Sequence, residues 1–275
     1  MRLSNPDEVL NSIAQARGIP IEELKRAYDE IYKSPFVQTD PSFLSDEDRI
    51  HYVLSVMWTR YMLRPPVKEV EIVPIGVSAP RYTKAGELMA NLYVLTPSSK
   101  SPVRLVLRGK EMVERRKGIA FGAKYRVKAG QLSSGDLMAD ERTVFDDPEG
   151  LEISLQQILD GLNIPKVPDL ASLPKHLSRL EGGYVDDSDW RRVSGIILRA
   201  NKGQRKDGST FCVFTIADTS IVPSEKFAGI TVWVDETQFT YGVEDEIEVY
   251  GTVQQKQDGE CFLNGYLVLP KHVRR

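Results

Sequence analysis

The apolar residues of this chain recur about every 3.6 positions before Pro65-Pro66 and every second position after it. One period belongs to helices and the other to strands, so a helical unit must end at the two prolines and a β structure must follow. A 41% hydrophobic share of 275 residues supplies cores for about two domains. Three amphipathic helices are expected first. Asn5 or Asp7 caps one carrying Val9, Leu10, Ile13 and Ala14, which Gly18 ends. Pro20 opens a second with Ile21, Leu24, Ala27, Tyr28, Ile31 and Tyr32, stopping before Pro35. Ser45 caps a third, placing Asp46, Glu47 and Asp48 at the positive end of the helix dipole ahead of Ile50, Val53, Leu54, Met57, Trp58 and Tyr61.

After residue 66 two sets of strands are expected. The first takes 70–77, 88–95, 103–107, 125–132 and a weak fifth strand at 142–145, with a short helix at 110–117. The second takes 192–199, 210–218, 229–234, 246–255 and 260–269, its last two strands joined through Gln257-Asp258-Gly259, an Asp-Gly turn. Between them, 147–189 is rich in proline and poor in β-branched runs, and reads as a connector with one helical piece at 155–162. The division is therefore 1–66, 67–146, 147–189 and 190–275. Shifting the second set back by 122 residues lays Gly208 on Gly86 and Cys212, Phe214 and Ile216 on Ala90, Leu92 and Val94, the mark of a duplicated module.

The second set reads Gly195-Ile196-Ile197-Leu198, Phe214-Thr215-Ile216-Ala217-Asp218-Thr219, Gly229-Ile230-Thr231-Val232-Trp233-Val234 and Val249-Tyr250-Gly251-Thr252-Val253. With its long basic first loop and an Asp after its second strand, it resembles the OB-fold, a small Greek-key barrel. It is similar to the OB domains of the replication protein A group of single-stranded DNA-binding proteins. The segment Ile13-Ala14-Gln15-Ala16-Arg17-Gly18-Ile19-Pro20 and the later Leu44-Ser45-Asp46-Glu47-Asp48 resemble the helical leader of archaeal members. The resemblance covers most of the chain. It implies a mainly β protein with an α-helical N-terminus and two five-stranded OB-fold barrels in tandem, binding unpaired DNA in replication, recombination or repair with little sequence preference. The chain departs from the archaeal pattern in lacking a Cys-rich zinc motif, and its first module reads Val94-Leu95-Thr96-Pro97 where the second has Asp218.

Strand alternation assigns a binding face. If Ile230, Val232 and Val234 fill the barrel, Thr231 and Trp233 face outward, and Phe211 joins them from the strand beside. Outward aromatics can stack on bases, or can be covered by the connector or the other module. In the first module Val103, Leu105 and Leu107 point in, leaving Arg104 and Arg108 outside with Tyr93. A guanidinium there can stack on a base and fork a phosphate, or can belong to a salt-bridged sheet face. Residues 101–130 hold nine Lys/Arg against two acids, among them Arg115, Arg116 and Lys117. Residues 191–211 hold six, including Arg199, Lys202, Arg205 and Lys206, against one acid, while 135–190 carries thirteen acids and four bases. Backbone binding depends on such local charge rather than on the net charge of -3. The two first loops, with Arg81, Tyr82 and Lys84 in one and Lys202, Arg205 and Lys206 in the other, are basic and tipped by glycine.

Little in the sequence points to catalysis. His51, His176 and His272 are scattered, no Walker-A or GxGxxG run occurs, and Cys212 aligns with an interior position. Asp218 is expected to cap a turn, and Asp146-Asp147 and Asp186-Asp187 to be solvated. No cofactor, metal or membrane is expected, the two cysteines suit a reducing compartment, and the location expected is cytoplasmic and nucleoid-associated. The partners expected are single-stranded DNA and other replication or repair proteins. Two other readings stay open: a protein-interaction subunit of a replication or transcription complex, and an RNA-binding protein.

Overall fold

The computed structural model describes residues 5–62, 67–83, 86–132, 134–140, 143–181, 184–205, 209–221 and 229–272. The leader contains α1 (Pro6–Arg17), α2 (Ile21–Tyr32), α3 (Pro35–Thr39) and α4 (Asp46–Met62). Asn5 Oδ1 accepts from the Asp7 N–H, and Gly18 closes α1 at φ 65, a left-handed conformation natural to glycine. Pro35, expected to stop helical structure, instead opens α3 from the first-turn position, with Ser34 Oγ accepting from the Val37 N–H. Ile13, Leu24, Leu54 and Met57 are fully buried at the centre of this unit.

The first barrel is built from β1 (Val67–Val77), β3 (Leu88–Leu95), β4 (Val103–Arg108), β5 (Tyr125–Gln131) and β6 (Leu137–Ala139), with β2 (Arg81–Tyr82) as a short edge on β3. Its hydrogen-bonded ring runs β1-β3-β4-β6-β5 and back to β1, with β4 and β6 parallel. Helix α5 (Lys110–Arg115) sits between β4 and β5. The second barrel closes as β9 (Arg191–Gln204), β10 (Thr210–Ala217), β11 (Ile230–Val234), β13 (Cys261–His272) and β12 (Glu246–Gln255), again with one parallel pair, β11 and β13. Both rings share one order: first strand beside second and fourth, third beside fifth. This is the OB-fold arrangement, repeated. Ala90, Leu92 and Val94 lie inside the first barrel, and Cys212, Phe214 and Ile216 inside the second, as the 122-residue repeat requires. Gly86 is in the left-handed region, while Gly208 lies outside the described residues.

The fifth strand of the first barrel was expected at 142–145, and it is Leu137–Ala139 instead. Arg142 lies outside the described residues, and Phe145 makes only an isolated bridge with Val127. The connector contains α6 (Leu155–Gly161), begun by a Ser154/Gln157 capping box, a 3-10 turn at Leu170–Lys175, and a two-residue hairpin of β7 (Leu180–Glu181) and β8 (Tyr184–Val185). It is packed rather than loose. Leu170 and Leu173 enter the core of the second barrel, while Ile158 and Leu159 join Ile75, Tyr93, Trp190, Tyr250, Tyr266 and Leu267 in an apolar seam between the barrels.

Gly76 makes that seam possible. A Cβ there would lie 2.9 Å from the Trp190 ring and 3.0 Å from the Tyr266 carbonyl oxygen, beside a register irregularity in β1 between Pro74 and Gly76. A main-chain oxygen cannot swing aside, so Gly76→Val should overpack the seam and lower stability by about 1–3 kcal/mol. Thermal unfolding monitored by near-UV circular dichroism checks this, and an unchanged Tm would mean that the seam is looser than described.

The leader also packs against the first barrel. A Cβ on Gly86 would fall 2.2 Å from Ser34 Oγ, and Glu87, itself buried, is 3.2 Å from Arg60 Nη1 of α4 and 3.6 Å from Arg108 Nε of β4.

Candidate nucleic-acid interface

Alternation on β11 places Val232 and Val234 inside the second barrel and leaves Trp233 partly exposed on its outer face. Trp233 faces Val213 of β10 on one side and Asn264 of β13 on the other. Phe211 lies across from Gly203, whose missing side chain makes room for the ring: a Cβ there would stand 2.7 Å from it. The Phe211 and Trp233 rings meet edge to face at 6.1 Å. The exposed Arg205 guanidinium lies 5.9 Å from the Phe211 ring centre and 5.7 Å from that of Trp233. Two aromatic rings and a cation thus form one surface, and Phe262 extends it along β13 with the same outward parity.

This surface is one wall of a cleft of about 690 Å³ between the barrels. The first barrel supplies the other wall through Arg81, Tyr82, Asn91, Tyr93 and Arg104. A volume of this size lies within the ~300–1,000 Å³ usual for ligand sites. A second cleft of about 750 Å³ along Ser101, Ser134 and Asp136 shares Arg104, Val185 and Asp187 with it.

Of the residues singled out in the sequence, Arg81, Tyr82, Arg104, Arg205 and Trp233 come together in the cleft, and Phe211 meets Trp233 edge to face without lining the cleft. Lys84 and Lys206 lie outside the described residues. Tyr93 does face outward from its strand, yet it is only 1% exposed, which corrects its expected role as an open stacking surface. Its ring is held 4.2 Å from Tyr266 and 5.3 Å from Trp190, and burial pushes its hydroxyl pKa well above the ordinary value, with the neighbouring Tyr266 and Asp187 adding to the shift.

The basic run of 101–130 is largely neutralised. Arg104 is bound at two points by Asp136, at 2.5 and 3.2 Å, and lies 3.7 Å from Asp187. The hydrogen bonds it donates to Asp136 raise the guanidinium pKa above its usual value despite partial burial. Arg108 is paired with buried Glu87 at the leader, and Arg115 with Glu111 at 3.3 Å. Arg116 is 2% exposed and locked onto the second barrel at Asp235, which removes it from the set able to meet a ligand. Lys117 is shared by Glu114 and Glu236, whose hydrogen bonds raise its pKa. Lys202 lies 3.5 Å from Glu236, and Arg199, opposite Thr215 on β9, is exposed but is not a cleft residue. Asp186 and Asp187, expected to be solvated, are partly buried: Asp186 binds Arg179 and Ser188, and Asp187 accepts from the Tyr266 hydroxyl at 3.2 Å.

Asp218 caps its turn by accepting from the Ser220 N–H at 2.9 Å, and it also accepts from the Leu170 N–H at 2.8 Å, tying the connector to the barrel. Burial would raise its pKa, but these hydrogen bonds outweigh that and hold it below the ordinary carboxylate value. Cys212 and Cys261 are buried, and burial pushes both thiols up. Among the described residues no group of three or more His, Cys, Asp or Glu could hold a metal ion, and no helix is long and apolar enough to cross a membrane.

Sequence reasoning missed Phe262, Asn264, Gln254 and Asn91 in the cleft. The signal for the first two was available, since Cys261 and Leu263 point into the barrel and their neighbours must point out.

No known protein family and no curated protein matches the chain. Among solved structures, it is similar to the replication protein A heterotrimer bound to ssDNA, at 10% identity and a TM-score of 0.41, over 72% of this chain and 49% of that one. It is also similar to the Ifi202 HINa domain in complex with 20bp dsDNA, at 13% identity and a TM-score of 0.36, over 76% of this chain and 97% of that one. A third likeness, to p202 HIN1 in complex with 12-mer dsDNA, has 16% identity and a TM-score of 0.35 over 76% of this chain and 93% of that one. At these identities and scores no residue role transfers to this chain.

Proposed function

We propose that the chain binds single-stranded DNA in the inter-barrel cleft and serves replication, recombination or repair by holding unpaired strands. The observation that carries this reading is the outward indole of Trp233 beneath Arg205, facing Arg81, Tyr82 and Arg104 across the cleft. Stacking on Trp233, Phe262 and Tyr82 needs exposed base faces, which a duplex hides and a single strand offers. The arginines bind phosphate, and the affinity is divided between stacking and counterion release.

Fluorescence anisotropy with labelled oligo-dT tests the reading. Three phosphate contacts from Arg81, Arg104 and Arg205 give a slope of log K against log salt of about −2 for a single strand. Micromolar or tighter binding with that salt dependence, and weak competition by duplex, is the expected result; absence of binding at low salt rejects the reading. Asp136 competes with phosphate for Arg104, so Asp136→Asn should tighten binding several-fold at low salt. Arg108→Ala should leave affinity within about twofold, because Glu87 already holds that side chain.

A second reading has its own observation. Ile196 and Leu198 are 46% and 39% exposed on β9, away from the cleft residues, and suit an OB-fold subunit docking onto another protein. A pull-down that retains partners after nuclease treatment and loses them with Ile196→Lys would favour it.

A further inference from the structure

We infer that the helical leader holds in place the loop that brings Arg81 and Tyr82 to the cleft, with Arg60 and Ser34 as positioning residues that lie outside the cleft themselves. This rests on the single-strand reading and gives the leader a part in it.

Arg81 and Tyr82 form β2, a two-residue strand at the edge of its sheet, held by β3 through the pairs Arg81–Met89 and Tyr82–Leu88. Two pairs on one side leave much of its placement to the turn that follows. The Gly86 N–H donates to the Thr83 carbonyl at 2.9 Å, the Thr83 N–H to the Glu87 carbonyl at 2.9 Å, and the Glu87 N–H to Thr83 Oγ1 at 3.2 Å. Thr83 therefore moves with Gly86 and Glu87, and Tyr82 is its chain neighbour.

The leader meets both ends of these bonds. Gly86, at φ 69, lies against Ser34, the N-cap of α3: a Cβ on it would fall 2.2 Å from Ser34 Oγ and 3.1 Å from Ser34 Cβ. Glu87 is buried 3.2 Å from Arg60 Nη1 of α4, closer than Arg108 of its own barrel at 3.6 Å, and Arg60 is buried too. A pair this enclosed does not part freely, because each charge would be left buried without its partner. Neither Ser34 nor Arg60 lines the cleft, so the leader reaches it through the turn. Ordering a loop and its side chains on binding weakens affinity about two- to tenfold for each side chain immobilised, and a loop already held in place avoids part of that cost. Arg81 and Tyr82 are the side chains that gain.

The test is a double-mutant cycle read by anisotropy of the full chain with oligo-dT, with circular dichroism checking the fold. Arg60→Met should weaken binding about five- to tenfold. Arg81→Ala should weaken the parent and lower its salt slope by about 0.7, yet add less than about twofold in the Arg60→Met background, where the loop no longer presents that side chain. Trp233→Ala should weaken both backgrounds equally, a pattern that general destabilisation does not produce. Gly86→Ala reaches the same loop without touching the ion pair. It should also weaken binding, and adding Ser34→Gly, which removes the obstructing atoms and keeps a tolerated N-cap, should restore part of the loss. Additive losses for Arg60→Met and Arg81→Ala overturn the inference and leave the single-strand reading intact. If Arg60→Met does not fold, unchanged affinity with Gly86→Ala, or no restoration by Ser34→Gly, overturns it instead. No affinity of the parent for oligo-dT overturns both.

Discussion

Arg116→Ala should lower the stability of the protein by about 3–5 kcal/mol, the cost of breaking a buried ion pair from one side. Arg116 follows α5 in the first barrel. Its Nε donates to Asp235 Oδ2 at 3.0 Å, its Nη2 to Glu236 Oε1 at 3.1 Å, and its Nη1 to the Val113 carbonyl at 2.8 Å. Asp235, immediately after β11 of the second barrel, is 0% exposed. Its other oxygen accepts from the Thr237 N–H and hydroxyl at 2.9 and 2.7 Å, so it cannot turn to a new partner without losing those bonds. Removing the guanidinium leaves a carboxylate buried and uncompensated. Lys at this position should not rescue the loss, because a single ammonium cannot reach two carboxylates and a carbonyl in fork geometry. A double variant, Arg116→Met with Asp235→Leu, should recover much of the stability, since the orphaned charge is then gone.

The same cluster predicts a pH dependence. Burial would raise the Glu236 pKa, but the hydrogen bond from Lys117 and the charges of Lys117, Arg116 and Lys202 outweigh it and hold the pKa below the ordinary value of 4.5. A depressed folded pKa stabilises the protein above the unfolded value and loses that contribution as pH falls through the folded one. This ion-pair contact between the barrels should therefore weaken below about pH 4. Chemical denaturation of the parent and Arg116→Ala proteins at pH 7 and pH 3.5 checks both statements, and a deficit under about 1 kcal/mol at pH 7 would contradict the first.

Trp233→Ala should weaken oligo-dT binding by about 1–3 kcal/mol, roughly 5- to 150-fold, with little change in stability. The indole contributes to the face of the barrel rather than to its core, which Val232 and Val234 fill. Trp233→Phe should keep most of the affinity. Phe211→Ala should act indirectly, since that ring does not line the cleft but supports the indole edge to face and packs over Gly203. Anisotropy titrations beside thermal melts separate the two effects. Unchanged affinity with Trp233→Ala would show that bases stack elsewhere.

Which side of a strand a residue takes was legible in the sequence, and what covers that side was not. The alternation around Val232 identified Trp233 as outward, and the same rule placed Tyr93 outward. Trp190 and Tyr266, distant in sequence, then bury Tyr93 in the seam. Local period carries no information about a second barrel docking on the first. The charge count had a similar blind spot. A run of nine bases predicts positive potential only if its counter-charges are remote, and Asp136, Glu87, Asp235 and Glu149 are within pairing distance. Arg205, which has only rings and Ser209 as partners among the described residues, keeps its charge available. The strand Leu137–Ala139 escaped notice because three residues are too few to show an alternating pattern, and its pairing with β4 is parallel and nonlocal.

Photo-crosslinking of an iodouracil-substituted single strand to the full chain, with the adducts located by mass spectrometry, addresses the cleft itself. Adducts on Trp233 or Phe262 from one barrel and on Tyr82 from the other, within a single complex, are the predicted pattern. Adducts confined to the helical leader or to the outer side of β9 would contradict it.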